Sequence, residues 1–368
     1  METIAQILSR ELEQPLEYVE NVIALIDEGN TIPFIARYRK ERHGSMDDTV
    51  LRTLADRLEY LRGLEKRREE VRAAIEAQGK LTEELSGALT AAATLAEVED
   101  LYRPYRPKRR TRATIARERG LEPLAALLFA QGRDCPAPMA EAAKYVDPDK
   151  GVNTAEEALQ GAGDIIAEDI SDDAGVRKAL RELLLRRGAL VSRAAGEEDT
   201  VYRLYYDFQQ PLSRLQDHQI LAIDRGEREG ALKVKVDCDR EEALVALRRR
   251  VVRPGSAAMD FIKAAAEDAY DRLLFPSLER EIRSLLTDRA AEGAIHNFAL
   301  NLRPLLMQPP VRGHVTMGLD PGYRMGCKVA VVDPTGKVLD TAVVYPTHGE
   351  RQYRACLETL AGLIRRHS

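Results

Sequence analysis

Three short apolar runs near the carboxyl end of this 368-residue chain constrain its fold more than any other feature. Val315–Asp320 ends in a carboxylate, Lys328–Asp333 is rich in valine, and Val338–Tyr345 is a third run of the same kind. A Pro-Gly and a Pro-Thr-Gly sequence separate the runs, and both are typical of turns. We therefore predict an antiparallel meander of three strands. Apolar residues then recur at helical spacing over Glu350–Arg366, which predicts one helix after the strands.

The rest of the chain has the pattern of a mainly α protein. Leu, Ala, Arg and Glu dominate it, and all four favour helix. Apolar residues from Leu51 to Ile75 recur at intervals of three and four residues, with one interval of seven, which predicts a long helical arm. We expect several helices in bundles that resemble helix-turn-helix units. Val234 and Val236 predict a strand in a small β element, Asp224–Gly230 predicts a charged turn, and Pro276 predicts a helix break.

These patterns predict four segments and place the protein in a reducing compartment. The segments are a helical domain over 1–192, a mixed insert with short strands over 193–240, a helical region with a linker over 241–310, and the start of an α/β domain over 311–368. The four cysteines are widely spaced and form no CxxC pair, so we expect neither disulfides nor a zinc site. With no long apolar run and no signal peptide, we expect no membrane partner and a cytoplasmic location.

A run of positive charge after position 101 is the sharpest candidate for nucleic-acid binding. The net charge of the chain is −5, so any contact with nucleic acid must come from a local patch. Pro104 and Pro107 disfavour helix and predict an extended segment or loop. Its arginines and lysine would contact phosphates, and its tyrosines would stack on unpaired bases. The candidate residues are Tyr102, Arg103, Tyr105, Arg106, Lys108, Arg109, Arg110 and Arg112. The alternative is structural, with the tyrosines packed on the helical core and the arginines paired with glutamates.

A second basic segment, Thr31–Arg42, adds Arg39 and Lys40 as candidate phosphate contacts. The alternative for this segment is a structural joint in which Arg37 and Arg39 make buried hydrogen bonds.

Four segments of the chain together resemble the Tex family of bacterial transcription accessory proteins. They are TIPFIARYRKE (31–41), EDLYRPYRPKRRTRATIARERGLEPLA (99–125), DHQILAIDRGEREGALKV (217–234) and GLDPGYRMGCKVAVVD (318–333). The resemblance runs from Met1 to about His367 and departs from the family pattern at Gln209-Gln210-Pro211. It implies a longer parent protein with an RNase H-like (YqgF-type) domain, helix-hairpin-helix motifs and an OB-fold that binds RNA. We therefore expect the C-terminal strands to be a truncated RNase H-like α/β domain.

Asp320 is the single candidate catalytic residue. RNase H-like nucleases gather several carboxylates around two Mg²⁺ ions, and one of these carboxylates lies on the first strand, where Asp320 is predicted. The resemblance implies a degenerate nuclease domain, so we predict that the chain is not an enzyme and uses no metal or cofactor. An alternative is that Gly318–Gly322 forms the first phosphate loop of an actin-like ATPase or sugar kinase.

The sequence thus predicts a non-catalytic, RNA-binding scaffold of Tex type. RNA or another single-stranded nucleic acid is the expected partner, bound weakly and in a salt-sensitive way, and the transcription machinery is a second candidate partner. Two alternatives remain open. One is a protein–protein interaction scaffold that docks a partner on the Leu51–Ile75 arm, and the other is a metal-dependent nuclease.

Overall fold

The computed structural model describes residues 2–107, 109–309 and 313–367. The chain divides into two compact units, Met1–Ala291 and Glu292–Ser368. Within the described residues there are sixteen α-helices and two three-stranded antiparallel sheets, which confirms the predicted mainly α fold class. None of the helices in these ranges is both long enough and apolar enough to cross a membrane.

The amino-terminal part of the first unit is built around one long helix. Its helices are α1 (Ile4–Glu11), α2 (Leu16–Asp27), α3 (Ile32–Tyr38), α4 (Asp48–Glu76), α5 (Glu83–Ala91) and α6 (Leu95–Tyr102). The Asp47 carboxylate caps α4 by accepting a hydrogen bond of 2.8 Å from the Val50 amide. Thr94 caps α6 in the same way, at 3.2 Å from the Glu97 amide. The predicted helical arm is confirmed.

The apolar stripe of α4 is covered by the chain's own helices. Its first half, from Leu51 to Leu61, is buried in one cluster with residues of α1, α2 and α3. Its second half, from Leu64 to Ile75, is buried in another cluster with Leu89 of α5 and Val98 of α6. The stripe is therefore not a free docking surface, and the scaffold alternative loses the feature on which it depended.

The middle of the chain forms a larger helical core around α10. Its helices are α7 (Arg112–Glu118), α8 (Glu122–Ala130), α9 (Pro138–Ala142), α10 (Ala155–Asp172), α11 (Ala174–Arg187), α12 (Asp217–Arg228), α13 (Arg240–Val251), α14 (Met259–Asp268) and α15 (Phe275–Leu306). Small residues let neighbouring helices approach α10 closely. A Cβ atom at Gly161 would lie 2.4 Å from the Leu121 side chain, so only glycine fits there without a shift.

A small sheet packs against this helical core. Its strands are β1 (Ala189–Ala194), β2 (Asp207–Pro211) and β3 (Leu232–Asp237). The strand order is β2-β1-β3, and both partners run antiparallel to β1, with Ser192 opposite Phe208 on one side and Val234 on the other. The predicted small β element is confirmed.

Two local predictions in this region are wrong. Asp224–Gly230 is not a turn between two strands, because α12 continues to Arg228 and only Gly230 has a positive φ, of 75°. Gly226 lies inside the helix, where its missing side chain makes room for Leu232. Pro276 does not end a helix either. A π-helical segment, Ala269–Leu274, joins α14 to α15 without a break, and the proline follows this segment directly, where the wider helical turn departs from the regular α-helical hydrogen bonding.

The second unit contains the predicted three strands and one helix. They are β4 (Thr316–Asp320), β5 (Cys327–Val332), β6 (Val338–Val344) and α16 (Glu350–His367), and the strand order is β4-β5-β6. Helix α16 covers one face of this sheet, where Cys327 and Cys356 are buried in the same apolar cluster as Val329 and Leu363. The meander is confirmed, and β4 pairs with β5 alone among the described strands.

Leu54→Ala tests whether α4 is a covered core helix. Leu54 is 0% exposed, so we expect its truncation to lower the free energy of unfolding by about 2–5 kcal/mol, through lost burial and the cavity left behind. The control is Leu285→Ala on α15, a leucine that is 55% exposed and should cost less than about 0.5 kcal/mol. Urea denaturation measures both. Equal stability of the two variants would show that the α4 stripe is not covered.

Candidate nucleic-acid interface

The predicted basic segment connects α6 to α7 and is more ordered than expected. Arg103–Tyr105 forms a turn of 3₁₀ helix directly after α6, so the prediction of an extended chain is wrong for these residues. Pro104 fits because a proline is tolerated in the first turn of a helix. The backbone becomes extended at Arg106, and helix resumes after Thr111, which caps α7. Lys108 lies outside the described residues.

The two tyrosines of the segment anchor it to the helical core. Both are half-buried against the cluster formed by the second half of α4, α5 and α6. The guanidinium carbon of Arg67 lies 5.6 Å from the centre of the Tyr102 ring. The carbonyl oxygen of Tyr105 accepts a hydrogen bond of 2.9 Å from Gln78. These contacts favour the structural alternative for the tyrosines, whose role here is to fix the segment in place.

The arginines of the segment divide into an outer and an inner set. Arg106, Arg109 and Arg112 are exposed, and in the described part of the chain none of them has a carboxylate within ion-pair distance. Arg110 pairs with Glu118 at 2.7 Å, but both side chains are more than half exposed, so water and salt screen this pair. These four arginines, which we call the outer arginines, are accessible to an anionic partner.

Arg103 forms the inner set and has a different environment. It is half-buried, and its Nε atom lies 3.3 Å from an Asp172 oxygen. Burial lowers the pKa of Arg103 below its ordinary value, and the neighbouring charge of Arg177 lowers it further. Arg103 therefore lies at the edge of a buried group of charges.

That group is a network that joins three helices below the basic segment. Asp100 of α6 accepts hydrogen bonds of 2.6 Å from both Arg177 and Arg181 of α11. Glu281 of α15 accepts one of 3.1 Å from Arg177 and a shorter one from Arg181. Asp100 is 4% exposed and Arg177 is 2% exposed, so the charges are almost fully removed from water. The network fixes the carboxyl end of α6, and with it the start of the basic segment.

A cleft of about 890 Å³ opens between the basic segment and this network. Arg106 and Arg109 line its mouth together with Arg280 of α15, and Arg177 forms part of its wall. Our reading of the sequence missed Arg177, Arg181 and Arg280. The only available signal was the four-residue spacing of Arg177 and Arg181, which places two arginines on the same face of a helix otherwise rich in leucine.

The second basic segment lies apart from the first. Ile35 of α3 belongs to the cluster around the first half of α4, whereas Tyr105 belongs to the cluster around the second half. Arg39 is half-buried, with its guanidinium carbon 5.1 Å from the centre of the Phe34 ring, and Lys40 is exposed. The candidates Arg39 and Lys40 therefore follow a helix anchored in a different apolar cluster from the one that anchors the outer arginines.

Asp320 is an exposed carboxylate at the end of β4, opposite Lys328. Asp333 follows the far end of β5, about 17 Å away along the sheet at roughly 3.3 Å per residue. Asp340 faces Val331 and is bound by His367 and Arg366, whose hydrogen bonds lower its pKa. Within the described ranges, no group of three or more His, Cys, Asp or Glu side chains is placed to hold a metal ion.

The loop after Asp320, which we compared with the phosphate loop of sugar kinases, closes on itself. A Cβ atom at Gly322 would stand 2.5 Å from the carbonyl oxygen of Gly326. The backbones of Gly322 and Gly326 thus lie so close that a side chain at Gly322 would clash, and this close approach gives no support to the phosphate-loop alternative.

Comparison with protein families gives three consecutive matches along the chain. They are a Tex-like protein N-terminal domain over residues 2–76, a Tex central region-like domain over 134–298, and a Tex protein YqgF-like domain over 314–368. The basic segment lies between the first two matches and is covered by neither.

Individual relatives extend over almost the whole chain. The protein tex of Bordetella pertussis is 42% identical over 385 residues, covering 99% of this chain and 48% of the relative. The transcriptional accessory protein Tex of Neisseria gonorrhoeae is 39% identical over 378 residues, covering 99% and 48%. The S1 RNA-binding domain-containing protein 1 of Homo sapiens is 34% identical over 360 residues, covering 93% and 36%. The chain thus spans about half the length, or less, of these curated relatives.

Asp100→Asn tests whether the buried network holds the interface together. The substitution leaves two buried guanidinium groups without their shared carboxylate, so we expect the free energy of unfolding to fall by about 3–5 kcal/mol. Glu118→Gln is the control, since it breaks an exposed pair and should cost less than about 1 kcal/mol. Both are measured by chemical denaturation. A loss at Asp100 no larger than that at Glu118 would contradict the structural role of the network.

Proposed function

This chain belongs to the Tex family of transcription accessory proteins, and on that premise we propose that it binds single-stranded RNA through the outer arginines without catalysing a reaction. In this proposal it acts as a scaffold that presents Arg106, Arg109, Arg110 and Arg112 to phosphates. The transcription machinery is the protein partner that we propose alongside RNA, since a relative bears the name transcriptional accessory protein.

The observation that carries the proposal is a row of exposed arginines on an immobilised backbone. Tyr102 and Tyr105 anchor the segment, and the network around Asp100 holds the helix that precedes it. Because the backbone is already ordered, less conformational entropy is lost when the arginines bind phosphates. Guanidinium groups also match the geometry of phosphate oxygens and form paired hydrogen bonds with them.

Both the positive charge of the interface and the sequence similarity to known proteins support RNA as the partner. A human relative of this chain is named for an S1 RNA-binding domain, which supports RNA as the nucleic acid. The outer arginines make no fixed donor–acceptor pattern that would read a base sequence, so we propose contacts to the backbone alone. With the tyrosines packed on the core, base stacking contributes little to this interface.

Binding by this interface should be weak and salt-sensitive. Four arginines neutralise at most about four phosphates, and each phosphate contact to a single strand contributes about 0.7 to the slope of log affinity against log salt. We therefore propose a slope of about −3. The net charge of −5 adds no favourable long-range field.

The proposal that the chain performs no catalysis is supported by the surroundings of Asp320. Two-metal nucleases hold their ions with several convergent carboxylates. Asp333 and Asp340 lie towards the other end of the strands, and Asp340 is bound by Arg366 and His367. One exposed carboxylate provides too few ligands for a pair of hydrated Mg²⁺ ions.

Reversing the charge of three outer arginines should abolish most of the RNA binding. For the triple variant Arg106→Glu, Arg109→Glu, Arg110→Glu, we expect affinity for a single-stranded oligoribonucleotide to fall at least about tenfold at low salt, and the salt slope to shrink by about 2. Fluorescence anisotropy at several salt concentrations measures both quantities.

The control for this variant changes the same amount of charge elsewhere. Arg133, Arg186 and Arg249 are exposed and have no ion-pair partner in the described ranges, so their triple change to Glu tests the effect of net charge alone. Equal loss of RNA binding in the two triple variants would mean that the basic segment is not a specific interface. Unchanged RNA binding in the Arg106, Arg109 and Arg110 variant would favour the alternative of a protein–protein scaffold that does not contact nucleic acid.

Asp320→Asn separates binding from nuclease chemistry. We expect the unmodified chain to leave RNA, DNA and RNA–DNA hybrids intact in Mg²⁺ or Mn²⁺, and the variant to behave identically. The reason is that, in the part of the chain that the structure describes, no carboxylates converge on Asp320. Gel electrophoresis of labelled substrates provides the measurement. Metal-dependent cleavage that disappears in Asp320→Asn would overturn this part of the proposal.

A further inference from the structure

We infer that the cleft below the basic segment is a binding pocket for a nucleotide phosphate, with Arg177, Arg103 and Arg280 as the groups that bind it. This inference rests on the proposed nucleic-acid function and deepens it, because it assigns one phosphate to an enclosed site below the outer arginines. The phosphate has two possible sources, an RNA strand and a free nucleotide, and the experiment distinguishes them.

Arg177 has one hydrogen-bond donor without a partner. Its Nε atom donates to Asp100 and its Nη2 atom to Glu281, at 2.6 and 3.1 Å. Its Nη1 atom is buried and has no hydrogen-bond partner among the described residues. Buried donors of charged groups are almost always paired, because an unpaired one keeps the cost of losing its water. Arg177 lines the cleft, but this atom is closed off from solvent. A small shift of the side chains around it would let an anion seated in the cleft supply the missing acceptor.

Arg103 adds a second positive charge at the same wall. It lies close enough to Arg177 for the two charges to repel, as the lowered pKa of Arg103 reflects, after the larger effect of burial. Its contact with Asp172, at 3.3 Å, is longer than the hydrogen bonds from Arg177 and Arg181 to Asp100. Asp172 and Asp100 offset part of this repulsion, and the two neighbouring guanidinium groups in a partly buried place still favour a further anion.

The carboxylates around the cleft are paired with cationic side chains, which reduces their repulsion of a bound anion. Glu99 pairs with Arg67 at 2.7 Å, and Glu168 pairs with Arg117 at 2.6 Å. Asp100 and Glu281 are both bound by Arg177 and Arg181, and Asp172 lies 3.3 Å from Arg103. At the mouth, by contrast, Arg106, Arg109 and Arg280 have no carboxylate within ion-pair distance in the described ranges. The unpaired charge of the cleft is therefore positive.

The size and walls of the cleft suit a nucleotide better than an isolated ion. Its volume of about 890 Å³ lies within the range of roughly 300–1,000 Å³ that is usual for small-molecule sites. Leu95 and Leu273 provide apolar surface for a sugar or base, and Ser277 adds a hydroxyl group. Leu273 belongs to the π-helical segment, and such segments occur frequently at functional sites.

Arg280→Ala in the full chain tests the pocket, because Arg280 is exposed and its loss should not disturb folding. The probes are inorganic phosphate, adenosine monophosphate, and one oligoribonucleotide made with and without a 5′-phosphate. We expect adenosine monophosphate to bind the unmodified chain, and Arg280→Ala to weaken that binding at least about fivefold, the usual order for one charged contact. Arg280→Lys should recover part of the loss. The control is Arg249→Ala, an exposed arginine outside the cleft, which should bind as the unmodified chain does.

The RNA measurements identify the source of the phosphate. If Arg280→Ala also weakens RNA and adenosine monophosphate displaces RNA, the pocket takes a phosphate of the strand, and a preference for the 5′-phosphorylated form makes it the terminal one. If only the free nucleotide is affected, the pocket takes a free nucleotide. The inference is overturned if neither phosphate nor adenosine monophosphate binds and RNA is indifferent to Arg280→Ala, or if Arg280→Ala and Arg249→Ala behave alike.

The double variant Arg110→Glu, Arg112→Glu keeps this outcome separate from the proposed function. Neither residue lines the cleft, so the variant weakens RNA contact on the outside while nucleotide binding inside the cleft persists. Loss of RNA binding in this variant, together with no nucleotide binding in any variant, would reject the pocket and leave the proposed function standing. RNA binding that is indifferent to both the double variant and the earlier triple variant would reject the proposed function.

Discussion

The sharing of Asp100 between Arg177 and Arg181 is the interaction on which the candidate interface depends. Asp100 lies on α6, while the two arginines lie on α11 and are bound a second time by Glu281 of α15. Removing such charges from water is costly, and a purely apolar contact of the same size is often equally stable. What the ion network adds is geometric: it permits one register of α6 against α11, which determines where the chain emerges after α6.

That fixed exit point explains how the basic segment combines order with exposure. The tyrosines are packed inward and the 3₁₀ turn continues the helix, while the outer arginines extend into solvent beyond Arg106. The sequence had presented packing and phosphate contact as competing interpretations of the same segment. The structure assigns inward packing to the tyrosines and leaves the arginines accessible, so the two interpretations apply to different residues. Whether the arginines bind RNA stays a prediction.

The fold was predictable where the signal was local. The valine-rich runs with their Pro-Gly turns predicted β4 to β6, and the spacing of leucines predicted α4, because periodicity and turn chemistry act within a few residues. The turn predicted at Gly226 was wrong, because a glycine next to charged residues is typical of a turn. Here the glycine makes room for Leu232, which is a tertiary contact that the local sequence does not show. The network around Arg177 could not be predicted, because Asp100 and Glu281 lie 77 and 104 residues away from Arg177 in the chain.

The burial of Cys327 of β5 and Cys356 of α16 between the sheet and the helix has a practical consequence. Both thiols lie in the apolar cluster of the C-terminal sheet, whereas Cys135 and Cys238 of the first unit are only half-buried. Alkylation requires a thiolate that is accessible to the reagent, so Cys327 and Cys356 react only when the helix and the sheet separate locally. The alkylation rate of these two native cysteines therefore measures how often the C-terminal sheet and its helix open.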